Sequence, residues 1–241
     1  YGGFVARFQD WQEADQYLLW DRQVAVTSEE GYRQLKVYFA RAWETVVRNG
    51  WQGRYMPCMV DEPQFPNSLS YRALAAICRK WMPGVTIHDP VESTDLEGAV
   101  DIWCVKQAVY EQHLERFQRL QGLGETLWVY TCGYPAGRTM NRVLDLPLLA
   151  GRLPMWLCLK YGFKGFLHWG YHVHTSDPFG ATCLDAGPGN KMPPGNGFVV
   201  YPGDGRPWYS VRGHLQRAGA EDFELLAQLA AQDRAAAMGL I

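Results

Sequence analysis

The 241-residue sequence has no apolar run that approaches the roughly 20 residues of a membrane-spanning helix. It also has no excess of basic residues, because 23 Lys and Arg stand against 25 Asp and Glu, which gives a formal net charge of −2. This balance argues against a protein that binds nucleic acid by neutralising phosphates. The sequence therefore predicts neither membrane insertion nor a nucleic-acid partner.

Motifs for two other kinds of site are absent as well. The six cysteines include no CxxC pair, which argues against a zinc knuckle or a thioredoxin-type redox site. No glycine-rich loop follows an apolar run, which counts against a nucleotide-binding sheet. His168, His172 and His174 lie close together, but no carboxylate or cysteine stands at a ligand spacing from them. We expect rim or core histidines there, and neither a metal nor another cofactor.

Five short apolar runs alternate along the chain with longer helical patterns. The runs lie at 55–60, 85–88, 100–105, 126–131 and 164–169, and the helical patterns lie at 31–50, 68–82, 110–123, 146–161 and 211–239. Apolar runs without polar alternation predict parallel strands buried on both faces, and their alternation with helices predicts an α/β fold. Polar and aromatic residues directly follow the runs, which favours a (β/α) barrel whose active face lies there.

A complete TIM barrel has eight strands and needs about 250 residues. The sequence shows five strands, with a sixth near Tyr1–Phe8. We therefore expect residues 1–241 to form a single domain, an incomplete TIM-like barrel of five to six parallel strands with helices outside. A truncated barrel leaves strand edges open. It should then self-associate, or pair with an N-terminal segment missing from this chain, which begins with Tyr1 and not Met.

The pair Asp61–Glu62 is the strongest candidate for chemistry, because it directly follows an apolar run. Two neighbouring carboxyls cannot both ionise freely, so one keeps its proton near neutral pH and can protonate a leaving group. The carboxylates of ordinary glycosidases flank the sugar about 5 to 10 Å apart, whereas sequence neighbours lie on one side of it. The pair therefore suits a sugar that supplies its own nucleophile, such as a 2-acetamido group that an Asp orients while a Glu donates the proton. The alternative is a solvent-facing pair that Pro63 turns away.

Four segments carry a resemblance to a known family. They are YMPCMVDEP at 55–63, LWVYTC at 127–132, GFLHWGY at 165–171 and RAGAEDFELL at 217–226. In this order they resemble the catalytic domain of glycoside hydrolase family 123, and the resemblance runs from about Val24 to Leu226. Known members are N-acetyl-β-galactosaminidases with a TIM-like barrel and a substrate-assisted retaining mechanism.

The resemblance implies that Asp61 orients the acetamido group and that Glu62 is the general acid/base. It also implies a glycan or glycoconjugate substrate and a catalytic domain. In the family, a β-sandwich and the first barrel strands normally precede the segment that this chain covers. The sequence does not specify a location, and the substrate class favours a periplasmic or secreted one.

Aromatic residues are abundant, at 33 of 241, and such rings either fill cores or stack on sugar faces. We expect the substrate-binding residues to be Trp103, Tyr130, Tyr134, Asn141, Trp169 and Tyr171. The two tryptophans are candidate sugar platforms, with core packing as their alternative. By the resemblance, the Tyr130 hydroxyl would bond the acetamido oxygen, and the alternative is a core Tyr bonded to backbone. Asn141 could reach a sugar hydroxyl or cap the next turn.

Together these features favour a hydrolase of β-linked 2-acetamido-2-deoxy sugars, with N-acetylgalactosamine as the favoured sugar. Two alternatives stay open. One is a barrel fragment that binds carbohydrate without catalysis. The other is a conventional two-carboxylate glycosidase whose second carboxylate lies on another strand, such as Asp89 or Asp101.

Overall fold

The computed structural model of the chain describes residues 4–133 and 139–241, and the chain divides into two compact units, Tyr1–Thr126 and Leu127–Ile241. Both units combine helices with short parallel strands, so the expected mixed α/β class is confirmed. Among the helices that the structure describes, none is long and apolar enough to cross a membrane.

The first unit begins with a small antiparallel sheet and two packed helices. The sheet holds strands β1 (Ala6–Arg7), β2 (Tyr17–Leu18) and β3 (Asp21–Ala25), and the helices are α1 (Glu29–Arg48) and α2 (Ser68–Trp81). The side chain of Ser28 caps α1 by accepting the N–H of Gly31, and a 3-10 turn at Phe65–Asn67 leads into α2. The two helices pack on each other, and each carries buried apolar side chains, Leu35 and Phe39 on α1 and Leu74 on α2.

The parallel strands of the first unit are β4 (His88–Val91) and β5 (Ile102–Lys106), which pair from His88↔Ile102 to Val91↔Val105. Two short helices follow, α3 (Gln107–Gln112) and α4 (Leu114–Gly122). The sequence predicts one helix over 110–123, but His113 leaves the helical backbone conformation and divides it. Burial of the fully enclosed Trp103, Tyr110 and Phe117 side chains stabilises this layer by about 1.5–3 kcal/mol each.

The predicted strand at 55–60 is wrong as a regular strand. Only Val60 forms a ladder bridge, in parallel with Ala6. The N–H groups of Met59 and Val60 donate to the carboxylate of Asp89, at 3.0 and 3.3 Å, where a strand would use backbone carbonyls. Pro57 has no N–H to donate. The segment is therefore extended and buried, but a side chain of β4 takes over part of its hydrogen bonding.

The second unit contains the parallel pair of β6 (Thr126–Tyr130) and β7 (Phe166–Leu167), with Val129 opposite Phe166. A 3-10 turn at Leu148–Gly151 and the helix α5 (Pro154–Tyr161) connect them. The sequence predicts one helix over 146–161. The structure starts the α-helix at Pro154 instead, because a proline has no N–H to donate and fits the first helical position.

The rest of the second unit is a hairpin and two helices. The hairpin pairs β8 (Val200–Tyr201) with β9 (Trp208–Tyr209), and α6 (Val211–Gln232) and α7 (Arg234–Gly239) follow. Helix α6 packs closely on the loop before α5, since a Cβ on Gly219 would lie 2.2 Å from the carbonyl oxygen of Arg152. The Arg152 guanidinium binds both carboxylate oxygens of Asp222 at 2.6 Å, which fixes this helix contact.

The described residues contain four strands in parallel pairs, two in each unit, where the sequence predicts five or six. The difference has two sources. In the 55–60 segment, backbone N–H groups donate to the Asp89 side chain and not to a neighbouring strand. The expected strand near Tyr1–Phe8 is β1, which pairs antiparallel with β2.

Candidate active site

The turn at Asp61–Glu62 has an unusual backbone conformation. Within the described residues, Glu62 is the one non-glycine residue with positive φ, at 55°. A glutamate rarely adopts this left-handed conformation, and strained residues of this kind cluster at functional sites. Two hydrogen bonds hold it: the Glu62 N–H donates to the carbonyl of Pro90 at 3.1 Å, and its carbonyl accepts from Gln64 Nε2 at 2.8 Å. The chain therefore fixes the direction in which the Glu62 side chain leaves the backbone.

Asp61 is open to solvent, yet protein atoms crowd its carboxyl. Partial desolvation raises the pKa of Asp61 to about 6, and the negative charges of Glu62 and Glu92 act in the same direction. The Lys106 ammonium opposes them. Asp61 thus changes charge in the weakly acidic range. From the sequence we expect the retained proton on the residue that protonates the leaving group, whereas the raised pKa belongs to Asp61, the residue expected to orient the acetamido group, and burial is its largest cause.

Glu62 belongs to a cluster of charged side chains that are mostly buried. Lys106 Nζ lies 3.4 Å from Glu62 Oε1 and also contacts Glu92 Oε1, and the three side chains are 16% to 18% exposed. Gln64 Nε2 donates to Glu92 Oε2 at 3.3 Å. One ammonium is therefore shared by two carboxylates, and both oxygens of Glu92 have a donor.

A second carboxylate, Asp89, contacts the segment that leads into this turn and is fully buried. Besides the two backbone N–H groups, the Tyr71 hydroxyl donates to it at 2.5 Å and the Cys58 thiol at 2.8 Å. Burial raises the pKa of Asp89 to about 7, although these four donors favour its charged form. With its oxygens enclosed in this way, Asp89 supports the segment that carries Asp61.

Asp101, the other alternative for a second catalytic carboxylate, also accepts hydrogen bonds from protein donors. Its oxygens accept from Arg79 at 3.1 and 3.0 Å and from the Ile87 N–H at 2.7 Å. The geometry around Asp89 and Asp101 therefore gives no support to a conventional pair of catalytic carboxylates built from either residue.

Trp103 takes the core-packing alternative. It is fully buried, its Nε1 donates to Glu125 at 3.0 Å, and its ring packs edge-on against Phe117 with 6.4 Å between centroids. A ring enclosed in this way offers no face to a sugar.

The remaining predicted binding residues belong to the second unit. Tyr130 is buried at the end of β6. Asn141 is 2% exposed and bonds to backbone on both sides, because its Nδ2 donates to the Cys132 carbonyl at 2.5 Å and its Oδ1 accepts the Arg142 N–H at 2.8 Å. Its side chain therefore shapes the turn, as the capping alternative predicts. Tyr134 lies outside the described residues.

Trp169 is half-buried and belongs to a polar network that the sequence does not reveal. Its Nε1 donates to Asn196 Oδ1 at 2.8 Å, and its ring stacks on that of His168. The Nδ1 of His168 accepts from Arg142 Nη2 at 2.9 Å and from the Gly170 N–H at 3.2 Å. Burial and the Arg142 charge lower the pKa of His168 well below its usual value. The two donors that point at Nδ1 require this nitrogen to carry no proton.

Tyr171 is about half exposed and lines a surface pocket of about 540 Å³. Its hydroxyl donates to that of Tyr209 at 3.0 Å, and His172, His174 and Tyr201 also line the pocket. In the first unit, a pocket of similar volume lies against α1 and does not include Asp61 or Glu62. Within residues 4–133 and 139–241, no group of His, Cys, Asp and Glu side chains could hold a metal ion.

The sequence prediction missed three members of the cluster around Glu62, namely Gln64, Glu92 and Lys106. A signal for two of them is present. Glu92 follows Val91, and Lys106 follows Val105, so each comes directly after a buried apolar strand residue, as Asp61 does after Val60. The carboxyl ends of parallel strands meet at one edge of a sheet, which brings such residues together.

Comparison with known proteins identifies a relationship that spans nearly the whole chain. The family model described as "Glycoside hydrolase 123, catalytic domain" matches residues 3–229. A solved structure of a family 123 glycoside hydrolase from Clostridium perfringens, analysed for glycolipid glycan hydrolysis, is similar with a TM-score of 0.66 and 15% sequence identity. The similarity covers 86% of this chain and 37% of that one, so this chain spans little more than a third of its length. At this identity the likeness shows the fold alone. The search of curated proteins found no match.

Proposed function

The chain belongs to the family of glycoside hydrolase 123 catalytic domains, and from this membership we propose that it hydrolyses β-linked 2-acetamido-2-deoxy sugars, with N-acetylgalactosamine favoured. The observation that carries the proposal is the adjacency of Asp61 and Glu62 on one strained turn. Adjacent carboxyls meet a substrate from the same side, and this arrangement calls for a nucleophile that the substrate itself provides.

In the first step, Glu62 donates its proton to the glycosidic oxygen as the bond from that oxygen to the anomeric carbon breaks. The carbonyl oxygen of the 2-acetamido group attacks the anomeric carbon from the opposite side and forms an oxazolinium ring. Asp61 accepts the amide N–H and stabilises the positive charge that develops there. This role needs an ionised Asp61.

In the second step, a water molecule attacks the anomeric carbon and opens the ring. The Glu62 carboxylate takes the proton of that water, which restores the acid for the next turnover. Two inversions at the same carbon leave the configuration retained. The product is a free N-acetyl sugar with the β configuration.

The substrate-binding part of the proposal rests on Tyr130, Tyr134, Asn141, Trp169 and Tyr171. Of these, Tyr171 is about half exposed and Trp169 is partly exposed, so both are accessible to a sugar. Asn141 acts through the turn that it braces, and the roles of Tyr130 and Tyr134 rest on the family resemblance. We keep Trp103 out of this set because its ring is enclosed.

We also propose that both units belong to one catalytic domain, since a single family model spans 3–229. The parallel strands would then be parts of a TIM-like barrel, and the TM-score of 0.66 to a family 123 structure supports a barrel-like fold. Open strand edges would be covered by self-association or by an N-terminal segment.

The test is a panel of chromogenic β-glycosides that pairs each 2-acetamido sugar with the plain hexoside of the same configuration. We expect cleavage of the N-acetyl members, with the galacto form fastest, and retention of configuration when the first product is observed by NMR. An N-acetyl-sugar thiazoline, which resembles the oxazoline intermediate, should inhibit competitively. Cleavage of plain hexosides alone would overturn the mechanism. Sugar binding without cleavage would instead support the non-catalytic alternative.

A further inference from the structure

Three charged side chains near Glu62 come from three different buried extended segments. Asp61 precedes Glu62 on the same turn, Glu92 follows β4, and Lys106 is the last residue of β5. A further titratable group on these elements, His113 after α3, packs on the Phe65 ring with 5.6 Å between centroids. The Lys106 ammonium lies in contact with the Glu62 carboxylate, at 3.4 Å.

The two carboxylates hold Lys106 unequally. Glu92 makes the closer contact with the ammonium, and its second oxygen accepts from Gln64 Nε2 at 3.3 Å. Gln64 is itself anchored, because the same Nε2 donates to the Glu62 carbonyl at 2.8 Å and its N–H donates to Asn67 Oδ1 at 2.9 Å. Glu92 is therefore fixed in place, and Glu62 meets a cation whose charge is already largely balanced.

This geometry meets a requirement of the reaction. A general acid/base must be protonated in the first step and ionised in the second. A bare ammonium beside it would favour the ionised form and weaken the acid, because an opposite charge within about 4–6 Å typically lowers a carboxyl pKa by about 1–3 units. Without this ammonium, the neighbouring carboxylates would act more strongly against the ionised form and weaken the base.

We propose that Lys106 and Glu92 act as a pair of positioning residues for Glu62, with Glu92 limiting how much of the Lys106 charge the acid/base meets. The proposal rests on the assigned role of Glu62. When Glu62 releases its proton, the ammonium stabilises the resulting carboxylate. When Glu62 is protonated, Lys106 stays bound to Glu92. No bond to the substrate involves either residue.

The proposal predicts opposite effects for two substitutions on the basic limb of the pH profile of kcat/KM, where the acid loses its proton. Glu92→Gln leaves the ammonium to Glu62 and Asp61, so the limb should move to lower pH by about one unit. Lys106→Met removes the ammonium that contacts Glu62, so the limb should move to higher pH by a similar amount. A purely structural role would lower kcat without moving the limb in opposite directions.

The experiment measures pH profiles of the whole chain with an N-acetyl-β-galactosaminide whose leaving group needs protonation. Lys36→Met and Glu44→Gln, both on α1, are matched control substitutions that should leave the limb where it is. At a pH above its limb, Glu92→Gln should regain activity on a dinitrophenyl glycoside, whose departure needs no proton, which distinguishes it from a misfolded variant. Circular dichroism and thermal unfolding check that both variants fold.

Two failures are distinguishable. If Glu62→Gln keeps full activity on the demanding substrate, the assigned role of Glu62 is wrong. If Glu62→Gln loses that activity while folded Glu92→Gln and Lys106→Met keep the wild-type limb, or both move it in the same direction, the inference about Lys106 and Glu92 is overturned and the catalytic assignment stands.

Discussion

The carboxylate of Asp89 takes the place of a backbone carbonyl for Met59, because the Met59 N–H donates to Asp89 Oδ2 at 3.0 Å. The side chain of one extended segment thereby completes the hydrogen bonding of its neighbour, two residues before the Asp61–Glu62 turn. The Tyr71 hydroxyl donates to the same oxygen from α2 at 2.5 Å. A buried carboxylate thus ties together the helix, β4 and the segment that carries the candidate catalytic pair.

Replacing Asp89 with Asn should destabilise the protein. A carboxyl, charged or protonated, has two oxygens that can accept. An amide has one, and its NH₂ group must then face one of the backbone N–H donors at Met59 or Val60. Leaving one buried donor unsatisfied costs about 1–3 kcal/mol. Urea unfolding at pH 4.5 should show this loss for Asp89→Asn, whereas Asp95→Asn, at an exposed position nearby, should show little change.

The cost of Asp89→Asn should shrink as the pH rises. The folded protein keeps the Asp89 proton up to about pH 7, while the ordinary value is 3.8, so the wild type loses stability as the pH rises between these values. The variant has no such proton to lose. The difference between the two pKa values corresponds to at most about 4 kcal/mol. A cost that grows between pH 4.5 and pH 8 would contradict a raised pKa at Asp89.

Asp61 should determine the acidic limb of activity. Its pKa is raised to about 6, and its proposed role needs the ionised form. The value of kcat/KM reports the free enzyme, so it should fall below about pH 6, approaching tenfold for each pH unit. Carboxyl ¹³C NMR of the free protein should show one resonance with this midpoint that is absent from Asp61→Asn. An acidic limb that persists unchanged in the residual activity of Asp61→Asn would assign it to another group.

Much of the helical structure is local enough to predict from the sequence. Helix α2 spans Ser68–Trp81 where the sequence predicts 68–82, because the Pro83–Gly84 pair marks its end in the sequence itself. The 55–60 segment fails for the opposite reason. Its hydrogen-bond acceptor is the side chain of Asp89, which lies 30 residues beyond Met59 in the sequence, and no local pattern identifies it.

The candidate site follows the same division. The Asp61–Glu62 pair stands out because burying ionisable side chains costs free energy, so their place directly after an apolar run indicates a function. The contact of Lys106 with Glu62 joins residues 44 positions apart, and only the folded chain reveals it. Trp103 shows what the sequence cannot predict. An aromatic residue near a strand end gives the same sequence pattern whether its ring is enclosed or open to a sugar.

Two tryptophans should therefore respond differently to substitution by alanine. Trp103 is fully buried, so Trp103→Ala should destabilise the protein by about 3–5 kcal/mol. Trp169 keeps part of its surface exposed. Trp169→Ala should therefore raise KM for an N-acetyl glycoside, and it should lower the unfolding temperature less than Trp103→Ala does. Thermal unfolding and steady-state kinetics on both variants test this difference. A Trp169→Ala variant with unchanged KM would remove Trp169 from the sugar site.

Glu62→Gln and Asp61→Asn should fail in different ways. Glu62→Gln removes the proton donor, so a substrate with a poor leaving group should lose about 10²–10⁴-fold in rate. A dinitrophenyl glycoside, whose leaving group needs no protonation, should keep much of its first-step rate. Asp61→Asn retains the acid but weakens the orientation and charge stabilisation of the acetamido group. Its loss should therefore persist for every leaving group, at about 2.7–4 kcal/mol if it resembles the loss of one electrostatic stabiliser.

Azide provides the decisive control for this pair of variants. In the proposed mechanism the nucleophile belongs to the substrate, so azide has no vacant position to fill in Asp61→Asn and should not yield a glycosyl azide of inverted configuration. If Asp61 were instead an enzymic nucleophile, its removal would open the face of the sugar that azide attacks. Formation of the inverted azide by Asp61→Asn, from plain and N-acetyl sugars alike, would therefore assign Asp61 as the nucleophile and reject substrate assistance.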